Sequence, residues 1–216
     1  MIPQDSGSSA TVIGIDFDNT LAIYDELVLS LAIERGFIEP DAQKNKKDVR
    51  DTLRGLPNGE IEWQKLQGVI YGPRMSEAQI SPNVTEFIRL CRNQGAELHI
   101  VSHKTALANY DETKTNLRDA AMQWMHAHKF FEPSGFGFSQ EDVTFVGTRR
   151  EKSVSIQQLG CTHFIDDLEE VFQESSFPSQ VHKILFANQA PDSDIPDVSI
   201  AETWNQVGEF IFPDES

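Results

Sequence analysis

The sequence predicts a doubly wound, Rossmann-like α/β fold: a parallel sheet of about five strands, with a small helical cap inserted after the first strand. Three observations carry that expectation. Five short apolar segments alternate with amphipathic stretches at helical spacing, the pattern of parallel strands joined by helical crossovers. Polar and charged residues collect where the apolar segments stop, at the edge where open α/β sheets hold their ligands. One interval, Ile23–Ile80, interrupts the alternation with two or three helical patterns where a single crossover would do.

Taken in order, residues 1–10 (MIPQDSGSSA) have neither a basic region nor an apolar stretch, and read as a loose tail rather than a secretory signal. Thr11–Phe17 is the first strand, with Val12, Ile13 and Ile15 supplying a buried, β-branched run. The interruption follows. Asp25–Arg35 repeats apolar residues at Leu27, Val28, Leu31 and Ala32, Asn45–Arg54 at Val49 and Leu53, and Glu60–Tyr71 at Ile61, Leu66, Val69 and Ile70. Turn signals at Gly36, Leu56–Gly59 and Gly72–Pro73 separate the three. The expected division is a cap over 23–80 and an α/β core over 11–22 and 81–216.

In the core, Pro82–Gln94 places Val84, Phe87, Ile88 and Cys91 on one helical face, and Gly95 ends it. Glu97–Ser102 is the second strand. Thr113–His128 is helical through Leu117, Ala121, Trp124 and His128. Val143–Gly147 is the third strand, and Lys152–Leu159 a helix stopping at Gly160. Thr162–Asp166 and Val181–Ala187 are the fourth and fifth strands. Ala201–Ile211, with Trp204, Val207 and Ile211, closes the domain as a helix.

The chain has 216 residues, 34 acidic against 18 basic, for a formal charge of −16. So acidic a surface repels nucleic acid and anionic membrane, and no apolar run reaches the length of a membrane span. A phosphorylated substrate would need a local positive field inside this negative one. Two cysteines, Cys91 and Cys161, lack metal-site spacing and are too few for a disulfide framework; both read as buried apolar groups. A cytoplasmic protein is expected, and the oligomeric state is left open.

Four polar positions fall at strand ends: Asp16 and Asp18 after the first, Ser102 on the second, Lys152 after the third, Asp166 and Asp167 on the fourth. Each has an ordinary alternative: a polar turn for Asp16 and Asp18, a turn or helix N-cap for Ser102, and a solvated basic turn for Arg149, Arg150 and Lys152. Asp166 and Asp167 could cap the helix over Leu168–Gln173. Their shared edge and order favour a functional set. Two carboxylates about 4 Å apart repel by roughly 1 kcal/mol in water and about 4 kcal/mol near a protein surface, so such a pair either is neutralised by a cation or has one member serving as a nucleophile.

The set, read as DFDNT at Asp16–Thr20, Ser102, Lys152 and Asp166–Asp167, resembles the four motifs of the haloacid dehalogenase superfamily, and specifically its phosphatases. The insertion occupies that family's usual place for a helical cap. The resemblance implies Asp16 as the nucleophile that forms an aspartyl-phosphate, and Asp18 as general acid–base with its main-chain carbonyl on the metal. It implies Ser102 on the phosphoryl group, Lys152 neutralising nucleophile and phosphate, Asp166 as a Mg²⁺ ligand, and Asp167 as a ligand through water or an orienter of Lys152. Thr20 would tie the loop after Asp18 by a side-chain hydrogen bond. Asn19 and Thr20 are expected around the substrate, as are His103 and Lys104, which follow Ser102 directly and have an exposed loop as their equal alternative. Within the resemblance, an acid two residues after the nucleophile, here Asp18, implies phosphoryl transfer over dehalogenation, because a departing halide needs no proton whereas an alkoxide does.

The resulting expectation is a Mg²⁺-dependent phosphatase of a small phosphorylated metabolite. A phosphomutase or other phosphotransferase of the same superfamily, and a non-catalytic binding module, are the alternatives. A receiver domain fits less well, since its acidic pair follows the first strand and its phosphate-accepting Asp comes later. His126 and His128, two apart on a helix, face different ways, and His99, His163 and His182 read as structural. The basic residues Lys44, Lys46, Lys47, Arg50 and Arg54 read as a solvated helix face balanced by Asp48 and Asp51, in preference to a substrate-gathering surface. Trp63 and Tyr71 read as cap core.

Overall fold

Residues 10–41, 45–111, 113–188 and 194–213 are described in a computed structural model. The expected tail falls almost wholly outside them, as does Lys44. Strand β1 (Val12–Ile15) is buried along its whole length, as its VIGI sequence requires of a strand covered on both faces. Gly14 lets the Phe164 ring approach: a Cβ there would meet Phe164 Cδ2 at 2.5 Å. Around β1 lie β4 (Glu97–His103), β5 (Val143–Val146), β6 (His163–Asp166), β7 (His182–Phe186) and β8 (Val198–Ala201), with β2 and β3 reserved for a small hairpin below. All six pair in parallel in the order β5-β4-β1-β6-β7-β8. This is the doubly wound order, and the direction in which successive strands are added across the sheet reverses between β1 and β6.

The sheet has six strands rather than about five. The additional one, β8, lies directly before the final helix, which starts at Trp204 (α8, Trp204–Ile211) instead of Ala201. Thr203 sets that start, its hydroxyl and the Gln206 side chain forming a reciprocal cap. In the same way Asn116 caps α5 (Leu117–Ala127), and Thr113 and Thr115 bond to Asp111 in the preceding turn instead of extending the helix.

Between β1 and α4 (Val84–Asn93) stand α1 (Asp25–Glu34), α2 (Lys46–Arg54) and α3 (Gly59–Tyr71), flanked by the antiparallel pair β2 (Ala22–Ile23) and β3 (Gln79–Ile80). The hairpin is the base on which the helical segment leaves and rejoins the core. The apolar residues expected on α1 and α2 are buried, and Trp63 joins them on α3. Two apolar clusters cover the two sheet faces. One joins Phe17, Trp124, Phe130 and Trp204 with the cap interior. The other is built from Val101, Ile156, Phe164 and Phe172, beneath α6 (Arg149–Gln158) and α7 (Glu169–Phe172). Cys91 and Cys161 are buried free thiols. No helix among the described residues is long and apolar enough to cross a membrane.

At the opposite edge of the sheet from the strand carboxyl ends, His163 and His182 occupy paired register positions with rings stacked 4.9 Å apart. Burial, helped by His182, pushes His163 down to about 4. Between about pH 4 and 6.5 the unfolded chain therefore holds more protons at this position than the folded one, and stability rises with pH across that window. Acid should cost on the order of 2 kcal/mol here. Urea unfolding of wild type and His163→Phe at both ends of the window isolates the contribution, since the other titrating groups cancel in the difference; the variant should show the shallower pH slope.

Candidate active site

The site forms where β1 and β6 end side by side. The Asp16 amide donates to Ile165 O (2.9 Å), carrying the pairing one residue past β1, so the Asp16 and Asp166 side chains leave neighbouring strands together. Phe17 turns inward and is fully buried, its ring edge-on to Trp124 at 5.5 Å, and this pins the loop that carries Asp16 and Asp18. The loop closes tightly: the amides of Leu21 and Ala22 donate to Phe17 O (3.0 Å each) and Asn19 takes φ 61°, a conformation Asn tolerates. Thr20 does not tie this loop as expected. Its Oγ1 is buried without a hydrogen-bond partner, and main-chain bonds close the turn instead.

Lys152 lies in the first turn of α6, where the Thr148 cap starts the helix three residues earlier than expected. From there its buried Nζ reaches across to donate to Asp16 Oδ1 (2.5 Å) and Asp166 Oδ2 (2.6 Å). Asp166 is held further by the Leu168 amide, which donates to Oδ1 (3.0 Å). Asp167 completes an acidic group: carboxylate oxygens of Asp16, Asp166 and Asp167 lie within 4.8 Å of one another, the first two buried and the third half-buried. Three carboxylates share one bonded ammonium, that of Lys152, with Lys46 acting on Asp167 from further away. Burial accordingly pushes Asp16 up to about 7, Lys152 opposing and Asp166 and Asp18 adding to the rise. Burial likewise holds Asp167 well above the usual carboxylate range. Lys152, despite burial, is kept charged by Asp16 and Asp166.

Asp18 stands at the mouth, with Lys104 Nζ 2.8 Å from its Oδ2 and the Tyr24 hydroxyl donating to Oδ1 (2.5 Å). Lys104 is itself buried, its ammonium 4.8 Å from the centre of the Tyr71 ring and 5.6 Å from that of Phe17. Arg118 Nε donates to Lys104 O (2.9 Å), fixing its backbone. Ser102 is buried on β4, two residues beyond the Ile15–Ile100 pair. His103 faces the other way: it is exposed, with Nε2 2.9 Å from Gly147 O.

Three cap residues at this edge were absent from the sequence-derived site: Tyr24, Tyr71 and Lys46. Lys46 begins α2 and donates to Asn19 Oδ1 in the loop that carries Asp16 and Asp18. Of the other basic cap residues, Arg50 pairs with Asp51 (2.9 Å) and Arg54 with Glu60 (2.6 Å) on the outer surface.

No protein-family model and no curated protein matches the sequence. Solved structures do match over nearly the whole chain. A HAD-superfamily hydrolase from Ehrlichia chaffeensis is similar at 14% identity and TM-score 0.57, covering 94% of this chain and 96% of its own. A haloacid dehalogenase-like hydrolase from Streptococcus pneumoniae is similar at 16% identity and TM-score 0.56 (93% and 98%). This chain has the haloacid dehalogenase superfamily fold. A third neighbour, a HAD family hydrolase from Deinococcus radiodurans R1 solved with phosphate and sodium, is similar at 11% identity and TM-score 0.53 (94% and 95%). In this fold the carboxyl ends of β1, β4 and β6 and the start of α6 share one edge, which is where Asp16, Asp18, Ser102, Asp166 and Lys152 stand.

Proposed function

We propose that this protein is a divalent-metal-dependent hydrolase of phosphate monoesters, acting on a small phosphorylated metabolite through an aspartyl-phosphate on Asp16. The observation that carries this reading is the Asp16–Asp166–Asp167 cluster with Lys152 locked into it. The donor set suits Mg²⁺: the ligands are hard carboxylate oxygens, and the negative charge they concentrate exceeds what the bonded Lys152 offsets. Asp16, Asp166 and Asp167 would hold it. When bound, Mg²⁺ would neutralise charge between two anions, carboxylate and phosphate, that otherwise repel.

The side chains then divide the work. Asp16 attacks phosphorus as the ester P–O bond breaks, and its orientation is set by Lys152, whose ammonium also offsets the charge of the phosphoryl group. Asp18 gives its proton to the departing alkoxide. It then takes a proton from the water that attacks the phosphoaspartate, releasing inorganic phosphate and restoring the Asp16 carboxylate. Its link to Tyr24 and Lys104 holds it at the mouth, on the leaving-group side. Ser102, buried on the neighbouring strand, is assigned to the phosphoryl oxygens. The phosphate bound by the Deinococcus neighbour agrees with such a substrate.

The test is phosphate release from p-nitrophenyl phosphate and a panel of sugar, glycerol and carboxylic-acid phosphates. Turnover should require a divalent cation, vanish with chelator, and return with MgCl₂. Chelator-resistant turnover, or none across the panel with Mg²⁺ present, overturns the reading.

A further inference from the structure

Strand β5 ends the sheet on one side, and no described strand pairs with its outer edge. Lys104 N donates to Val146 O (2.9 Å), and in a parallel ladder alternate residues bond to the same neighbour. Thr144 and Val146 therefore face β4, while Val143 and Phe145 turn their main-chain N–H and C=O outward. The strand itself, VTFV, has none of the charges or prolines that commonly blunt an open edge. A groove of about 470 Å³ runs beside it, between Phe145–Gly147 and the outer side of α6. On that helix it is lined by Arg150, Val154 and Gln158, a single stripe at spacing four. Val154, at the centre of the stripe, is 39% exposed. Charge is ordered along the same edge: Glu141 and Asp142 precede β5, and Arg149 and Arg150 follow it. A strand acidic at its start and basic at its end is complementary to an antiparallel copy of itself.

We infer that this edge is a self-association surface, on which a second copy of the chain adds its own β5 antiparallel about a twofold axis at Phe145. Phe145 then exchanges its outward N–H and C=O with its mate, and Glu141 comes opposite Arg149 of the second copy. Within its own chain Arg149 has only a long contact, 4.0 Å, to Glu170. Helix α6 fits the same axis. It packs over β4 and β5, and strands lie about 4.8 Å apart, so α6 and its mate stand about 10 Å apart, a helix-packing distance. From Arg150 to Val154 the helix descends about 6 Å, and from Gly147 to Phe145 the strand descends about 6.6 Å, which sets Val154 level with Phe145. The two helices run antiparallel and meet with Val154 against Val154 and Arg150 against Gln158, so the association is isologous and closed. The two catalytic edges point in opposite directions, and neither copy covers the cap of the other.

Sedimentation equilibrium of the full chain tests this, from about 1 to about 200 µM in about 0.15 M NaCl, where a Debye length of about 8 Å screens the distant charges of two chains of net −16. Wild type should move from monomer to dimer with a Kd on the order of 10 µM, since a short strand edge and one helix stripe make a small interface. Val154→Asp, which sets two carboxylates against each other on the axis, should raise that Kd about 10-fold or more. Glu141→Arg and Arg149→Glu should each raise it about 5-fold, and the two together should return it to near the wild-type value, because the pair is restored with its signs exchanged. All three side chains are exposed or largely so, and circular dichroism with thermal unfolding checks that each variant stays folded. A monomer at every concentration, a dimer indifferent to Val154→Asp, or a double reversal no better than either single one overturns the inference.

Discussion

Asp16→Asn is expected to abolish phosphate release, by at least about a thousandfold, while leaving the fold intact. An amide cannot form the phosphoaspartate, and it contributes no charge to a bound cation. What makes this variant informative is that stability should hardly change. Removing one partner of a buried ion pair ordinarily costs about 3–5 kcal/mol, because a naked charge remains. Here Lys152 keeps Asp166 at 2.6 Å as a counter-ion. The lost carboxylate is moreover one that burial has already pushed up to about 7, so its ionised form is poorly accommodated. Urea unfolding of the metal-free variant should stay within about 1 kcal/mol of wild type. Phosphate release near the wild-type rate would sink the aspartyl mechanism whatever the stability.

How far the site was legible in the sequence follows from where each residue sits. Asp16, Ser102 and Asp166 could be read because they occupy strand ends, and in a parallel sheet all such ends share an edge. Lys152 was readable by its order along the chain, although its burial was not: a basic turn after Thr148 is the ordinary outcome until α6 is seen to begin there and swing the fourth residue inward. His103 and Lys104 looked equivalent, yet strand alternation separates them. With Ser102 buried, His103 must face out and Lys104 in, a signal present in the sequence and left unused. Lys46 was a different case. Five basic residues in eleven read as a solvated face, and for Arg50 and Arg54 that is what the structure has. Which of them turns toward the core depends on how α2 sits over the Asp18 loop, a long-range relation that periodicity within a helix does not encode. The strand β8 escaped for a simpler reason, since four residues of which Ala201 alone is buried, lying before a capped helix, make a weak apolar signal.

Lys152→Met is expected to be the more damaging substitution for the protein as a whole. Methionine fills much the same volume over the Phe164 ring, which the lysine ammonium now approaches to 5.4 Å, so packing changes little. The charge balance changes completely: Asp16, Asp166 and Asp167 would share the end of the sheet with no cation bonded to any of them. Metal-free protein should lose about 3–5 kcal/mol at neutral pH. The sign of the pH dependence follows from the direction in which burial already moves Asp16. Folded-state values raised above the unfolded ones mean that the native state binds the extra protons, so the deficit should grow from about pH 4 toward pH 7 and shrink on acidification. MgCl₂ should restore a large part of the lost stability, because a divalent ion supplies the compensation the lysine no longer gives. It should not restore catalysis, which is expected to remain down by about a hundredfold or more without an ammonium on the nucleophile and phosphoryl group. Unfolding midpoints measured at about pH 5 and about pH 7.5, with and without MgCl₂, separate these effects. A variant as stable as wild type at the higher pH without metal would show that Lys152 is not what balances the cluster, and the charge argument for the metal site would fall with it.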